Sequence, residues 1–454
     1  MFSFRRLATG LALLTLTAAQ ATDSPPNALR GADPDQASAA PPLQWPDMGS
    51  TASVELPADA DQARAIWQRA NQSVAEFPRG HVDLLRWEAR QPGEKGAMPA
   101  RQGAQPLSLA DAVQRSLRTR PELFLHADMN APEQAEVRVR FAAHVRDVQR
   151  AWIDAATARQ RLRLMGDVLE ATRTGSELGQ RMVKAGNWSQ ARLSRERLLQ
   201  ARAWSTAVDA QAQELSAREQ LARLLGQWQA EDVARLGESL PESLPAVPKS
   251  ISPGDGLNAA TLESTVLRSD PTLARDRQLA QRQFDAVNPE RWKAWNQAVD
   301  EALRTLPESG STWKLEPPRI DDLSLLRDHS LARAAQAESE LLRQVAERRS
   351  MAREAWARLQ LTHAAAIHTQ DVLVPLQSGL AQESLLRYNG MLQSTWELLA
   401  SARERLLALD EALLARRDFW RAQADWQALL SGASYASPGT SLSSGAATAA
   451  PAGH

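Results

Sequence analysis

Cysteine is absent from all 454 residues, which excludes disulfides, thiolate metal sites, a cysteine nucleophile and a lipid-modified cysteine anchor. Lysine is scarce, at 5 of the 53 basic residues. Acidic and basic side chains nearly cancel to a net charge of −1, so the basic surplus of a nucleic-acid binder is missing and no such partner is expected. The only two tyrosines, Tyr388 and Tyr435, cannot supply the aromatic girdles of a membrane barrel. Past the N-terminus no run approaches the ~20 uninterrupted apolar residues of a membrane helix. There is no glycine-rich phosphate loop, nucleophile elbow or HExxH motif. The seven histidines lack metal spacing; His363 and His368, five apart, fall on different helical faces. The 14 tryptophans sit at seam positions and belong to a core rather than a cofactor site. No catalytic residue, metal or cofactor is expected, and the chain is not read as an enzyme.

The ends carry export and low-complexity signals. Arg5 and Arg6, the apolar stretch from Leu7 to Thr17, and Ala19-Gln20-Ala21 have the order of a signal peptide over residues 1–21. Residues 22–106 form an N-terminal segment, aperiodic at first and then partly helical, with Trp67, Leu84, Leu85 and Trp87 suited to pack on the body. Residues 240–260 are rich in proline and glycine and read as a linker. Residues 433–454 are a Ser/Gly/Ala/Pro tail without periodicity, expected to be disordered.

Between these segments the pattern is helical. Phe141, Val145, Val148, Trp152 and Ala155 follow gaps of four and three, as do Leu399, Ala402, Leu406, Leu409 and Leu413, which is the seam of a coiled coil. The pattern is also duplicated. Arg181 to Gly226 and Arg387 to Gly432 both span 45 residues, offset by 206. Each stretch begins at a short turn (VKAGNWS at 183–189, YNGMLQS at 388–394) and ends in a leucine–glycine signature (LARLLG, WQALLSG). Ala151-Trp152 matches Ala355-Trp356, and LRTRPEL at 117–123 matches LRSDPTL at 267–273. Four markers in one order imply a first repeat over 107–239 and a second over 261–432. A 45-residue helix is about 68 Å long, so each repeat is a pair of long antiparallel helices whose faces need further partners.

RMVKAGNWSQARLSRE, after AWIDAATARQRL and before LARLLG, resembles the first repeat of the TolC family of outer-membrane efflux proteins. LLRYNGMLQSTWELLASARE with DFWRAQADWQALLSG resembles the second. The resemblance spans Leu107 to Gly432 and implies a homotrimer of long helices in the periplasm. It also implies outer-membrane placement, passive solute export, and docking on a periplasmic adaptor and an inner-membrane pump. The chain departs from the family in its strands. Pro121 to Trp152 leaves 31 residues, most of them helical in pattern, with no room for two membrane strands. In the second repeat only Ser311 to Glu316 alternates. The expected fold class is therefore mainly all-α, with two tandem coiled-coil repeats and little or no β-barrel. Attachment to the membrane is then peripheral, or the protein stays in the periplasm. The alternative function is a barrel-less, non-conducting coiled-coil interaction protein.

The candidate site is the pair of turns: Ala185, Gly186, Asn187, Trp188 and Ser189 in the first, and Asn389, Gly390, Met391, Leu392 and Gln393 in the second. Glycine is expected to supply positive φ in each, and Trp188 and Met391 to stand exposed for a partner. The resemblance makes the turns adaptor-docking tips. It also makes Glu397 a possible channel constriction, although a solvated helix-surface residue fits the same pattern.

Overall fold

The computed structural model describes residues 106–252, 259–306 and 317–435, together with residues 46 and 64. The signal-peptide stretch, Trp67 to Trp87, the alternating 311–316 and the tail from 436 lie outside the described residues. Of the described residues 81% are helical and none is in a strand. No described helix is long and apolar enough to cross a membrane.

The first repeat comprises α1 (Leu109–Leu117), a 3-10 turn (Pro121–Leu123), α2 (Ala131–Lys184), α3 (Gln190–Leu224) and α4 (Ala230–Ser239). The second comprises α5 (Ala259–Ser269), α6 (Pro271–Asp285), α7 (Pro289–Arg304), the single turn α8 (Leu323–Leu326) and α9 (His329–His368). A π-helical turn (Thr369–Leu373) then leads into α10 (Val374–Asn389), and α11 (Thr395–Leu430) closes the repeat. Where the resemblance would place membrane strands, the first repeat has the 3-10 turn and the start of α2, and the second has α6, α7 and α8.

Local chemistry sets the helix starts. Asn130 and Glu133 form a reciprocal capping box for α2, with Pro132 in its first turn. Ser108 with Asp111 caps α1 in the same way, and Ser394 with Glu397 caps α11. The π-turn has a local cause as well. Pro375 has no N–H to donate and its ring crowds the preceding turn, so the helix widens just before it. The first repeat has no proline there, and α2 runs unbroken for 54 residues, about 81 Å.

The long helices form a layer rather than a closed bundle. α3 packs on α2, α2 on α11, and α11 on α9 and α10, while α3 has no comparable contact with α9 or α10. Val148, Trp152 and Ala155 of the predicted α2 seam are buried as expected. Phe141, a seam position by spacing, is 40% exposed because no described residue covers that part of α2. Ion pairs cross the α2–α11 interface: Arg150–Asp425 at 2.7 Å, Asp154–Arg421 at 3.5 Å and Arg161–Asp410 at 3.1 Å. On the other side of α11, Trp356 stacks on Trp426 at 5.5 Å and His363 on Phe419 at 5.5 Å. Asp425 faces Arg150 of the first repeat on one side, and its neighbour Trp426 faces Trp356 of the second repeat on the other.

The same duplication builds two joints. Gly226 ends the α3 turn at φ +67, and a Cβ there would meet the Thr119 methyl at 3.0 Å. Gly432 ends the α11 turn at φ +88, and a Cβ there would meet the Ser269 carbonyl oxygen at 2.3 Å. Thr119 and Ser269 hold equivalent places in LRTRP and LRSDP, so each leucine–glycine signature seats on its own repeat's proline marker. Buried Asp270 secures the second joint, capping α6 and pairing with Arg348 of α9 at 2.6 Å. The proline-rich linker packs as a strap: Leu240, Leu244 and Val247 are buried. Trp420 donates to the Pro245 carbonyl at 3.0 Å, and His363 Nε2 lies 2.7 Å from that of Pro248. Trp204 also reaches the N-terminal segment, donating to the Pro46 carbonyl at 2.8 Å.

Candidate functional site: the paired helical tips

Both turns close by one hydrogen-bond scheme. In the first, Gly186 N–H donates to Val183 O and Asn187 N–H to Met182 O, both at 2.9 Å. In the second, Met391 N–H donates to Tyr388 O at 3.0 Å and Leu392 N–H to Arg387 O at 2.9 Å. A serine then caps each outgoing helix, Ser189 for α3 and Ser394 for α11. The scheme pairs Gly186 with Met391, not with Gly390.

That pairing corrects one expectation. Gly186 has φ +75, but Gly390 has φ −80, and the left-handed residue of the second turn is Met391 at φ +59. The glycine stands one residue too early to relieve the turn, so Met391 carries the strain an L side chain meets there. A Cβ on Gly390 would make only ordinary contacts, the nearest at 3.5 Å.

A second expectation is corrected at Trp188, which is half-buried rather than free. Its ring lies 4.1 Å from that of Trp396, and the Arg192 guanidinium sits 4.1 Å over it. Gly179 makes room for the indole: a Cβ there would come within 3.1 Å of Trp188. Trp188 begins the first hairpin's return and Trp396 the second's, so the contact clasps the two tips side by side. Trp396 Nε1 is buried without a hydrogen-bond partner among the described residues, which leaves stacking and the cation to hold the clasp. The sequence reading missed Trp396 and Arg192; the signal available was a tryptophan just beyond each turn.

What the tips offer outward is apolar. Met391 is 83% exposed and Leu392 82%, beside exposed Gly186, Asn187, Ser189, Asn389 and Gly390. Ala185 and Gln393 are half-buried. Glu397 serves the start of its own helix, where its carboxylate accepts from Ser394 N–H at 2.8 Å and from Ser394 Oγ at 2.9 Å. The Ser394 backbone and hydroxyl hydrogen bonds hold that carboxyl below the usual glutamate range. Helix capping thus accounts for Glu397 without a channel. Among the described residues no three metal-ligating side chains gather.

No family model matches the chain, and no curated protein does. Among solved structures it is similar to CusC, described through its folding and transmembrane channel formation, at 14% identity and a TM-score of 0.45 over 83% of this chain and 92% of that one. It is similar to the outer-membrane channel OprN at 18% identity and a TM-score of 0.44, over 71% of this chain and 72% of that one. For the CmeC outer membrane channel of Campylobacter jejuni the identity is 11% and the TM-score 0.43, over 71% of this chain and 68% of that one.

Proposed function

We propose that the chain is a TolC-like subunit of an efflux assembly outside the inner membrane, a passive conduit that presents its two tips to a periplasmic adaptor and, through it, to an inner-membrane pump. The observation that carries this reading is the clasped pair of tips, which sets Met391 and Leu392 more than four-fifths exposed at the end of long helical hairpins. An apolar knob on so extended a body suits burial by a partner.

The open edges of the layer favour assembly with further copies, three by the resemblance. α9–α10 is the second repeat's counterpart of α2, and α3 is the first repeat's counterpart of α11. Laying α9–α10 of one copy on α3 of the next, in the register of α2 on α11, brings exposed Leu361 level with exposed Leu215. It also sets exposed Leu376 and Leu380 on either side of exposed Leu198. In such a ring the Glu397 carboxylates, one per copy, would form an acidic constriction that favours cations.

The second reading, a non-conducting coiled-coil interaction protein, is favoured by the helices that stand where membrane strands would be. Cross-linking Met391→Gly and Leu392→Ala variants to the adaptor tests the shared part. The replacements should preserve helix content and weaken capture; capture equal to wild type refutes tip docking. Light scattering tests the assembly, and a stable monomer counts against it. Planar-bilayer conductance with carbonate extraction then separates the readings. Steady conductance with resistance to extraction supports the conduit, and release without conductance supports the interaction protein.

A further inference from the structure

A groove of about 610 Å³ lies far from the tips, where the second joint meets the first repeat. Its walls are the N-terminal half of α2, the end of α5 and the C-terminal turns of α11. Its lining holds three arginines, Arg138, Arg146 and Arg268, and no acidic residue. Several arginines elsewhere on these helices meet a carboxylate: Arg140 with Glu136, Arg150 with Asp425, Arg421 with Asp154. Within the groove, among the described residues, only Arg146 meets a carboxylate, Asp147 at 2.9 Å, and it also donates to the Ser434 carbonyl at 2.6 Å. Arg138 has one bond, to Gln134 at 3.4 Å, and the Arg268 guanidinium has no partner among the described residues.

Beside these cations the lining is mostly apolar. Phe141 is 40% exposed there, flanked by Val145 and by alanines of α2 and α11. The shape is held by the backbone: Gly432 lets the end of α11 close on the Ser269 carbonyl at the end of α5 and on Val139 of α2. A preformed groove of this volume is of the size that holds a drug-like ligand. Guanidiniums without a carboxylate select an anionic head, and an exposed phenylalanine in the same lining selects an apolar body.

We propose that this groove binds a soluble acidic amphiphile, a single-chain or fused-ring acid, with its anionic head on Arg138 and Arg268 and its apolar body on Phe141. The site goes beyond the efflux reading, because binding here needs neither conduction nor a docked partner.

Calorimetric titration of the full chain with monomeric dodecanoate, dodecyltrimethylammonium and inorganic phosphate tests it. Dodecanoate should bind and the cationic analogue should not. Both arginines are exposed, so Arg138→Gln with Arg268→Gln should keep the fold and weaken dodecanoate by about tenfold or more, the loss of charge-assisted hydrogen bonds. Phe141→Ser should weaken dodecanoate and leave phosphate unchanged. Three results overturn the proposal. The first is dodecanoate binding that survives both variants, and the second is phosphate binding as tightly as dodecanoate. The third is arginine-dependent sedimentation with phosphatidylglycerol vesicles without binding of the monomeric acid, which marks a membrane contact. If Phe141→Ser instead dissociates the assembly, the groove is a contact between copies and the proposal also falls.

Discussion

Replacing the three left-handed glycines with alanine, one at a time, should give a graded loss of stability whose order is set by what each new methyl meets. At Gly186, φ +75, nothing lies within 4 Å of the added Cβ. Only the left-handed penalty acts there, about 1–2 kcal/mol, partly offset by the lower entropy of the unfolded alanine chain. At Gly226, φ +67, the methyl also meets Thr119 Cγ2 at 3.0 Å, and a side-chain methyl can give way, so the cost is about 1–2 kcal/mol. At Gly432, φ +88 lies outside the left-handed well open to L residues, and the obstacle is the Ser269 carbonyl oxygen at 2.3 Å. Relief requires the end of α5 to withdraw from α11 and Val139, so about 3 kcal/mol or more is lost.

Second-site changes separate the two joints. Thr119→Ser removes the offending methyl and keeps the hydroxyl bond to Ser116 O, so it should rescue Gly226→Ala. Ser269→Gly leaves the main-chain oxygen in place, so it should not rescue Gly432→Ala. Urea denaturation followed by far-ultraviolet circular dichroism, at fixed protein concentration, ranks the midpoints. A Gly432→Ala midpoint no lower than that of Gly186→Ala refutes the reasoning. Rescue by Ser269→Gly places the obstacle in the side chain and refutes it too.

The helices and the duplication were legible because they repeat at fixed periods, and period survives when individual residues drift. The paired signatures at Gly226 and Gly432 also located the ends of α3 and α11. What those glycines are for was not legible, since Thr119 and Ser269 lie far away in sequence and meet them only after the long helices fold back. The tips show the same limit. Glycine near a turn was visible in both, but which residue takes the left-handed conformation depends on a register one residue finer than composition can specify, and in the second turn it is Met391. Trp188 read as exposed because an isolated hairpin would expose it. Its partner Trp396 belongs to the other repeat, and a contact between repeats has no periodic trace. The same holds for Phe141, which fits the seam by spacing and is left uncovered by the layer's geometry.

Two further perturbations probe contacts between the repeats. Trp396→Ala should cost about 2 kcal/mol by opening the clasp, and it should speed amide exchange at 185–189 as well as at 390–394. Faster exchange confined to the second turn would show that the tips are not coupled. Asp154→Asn probes the charged α2–α11 seam. Burial raises the Asp154 carboxyl above its ordinary range against the opposing pull of Arg421, Arg417 and Arg150, while Asp418 adds to the rise. Its ion pair with Arg421 is long at 3.5 Å. A raised folded-state pKa means that the folded chain keeps this proton at a pH where the unfolded chain has lost it. The group therefore opposes folding at neutral pH, and that opposition fades as pH falls through the raised value. Asparagine keeps the shape without the charge, so the variant should melt above wild type at neutral pH, with the gap closing on acidification. Every other carboxylate is common to both proteins and cancels in the difference. A gap that is absent at neutral pH, or that widens as pH falls, would mean that the Arg421 pair outweighs burial and that the seam is held by its charges.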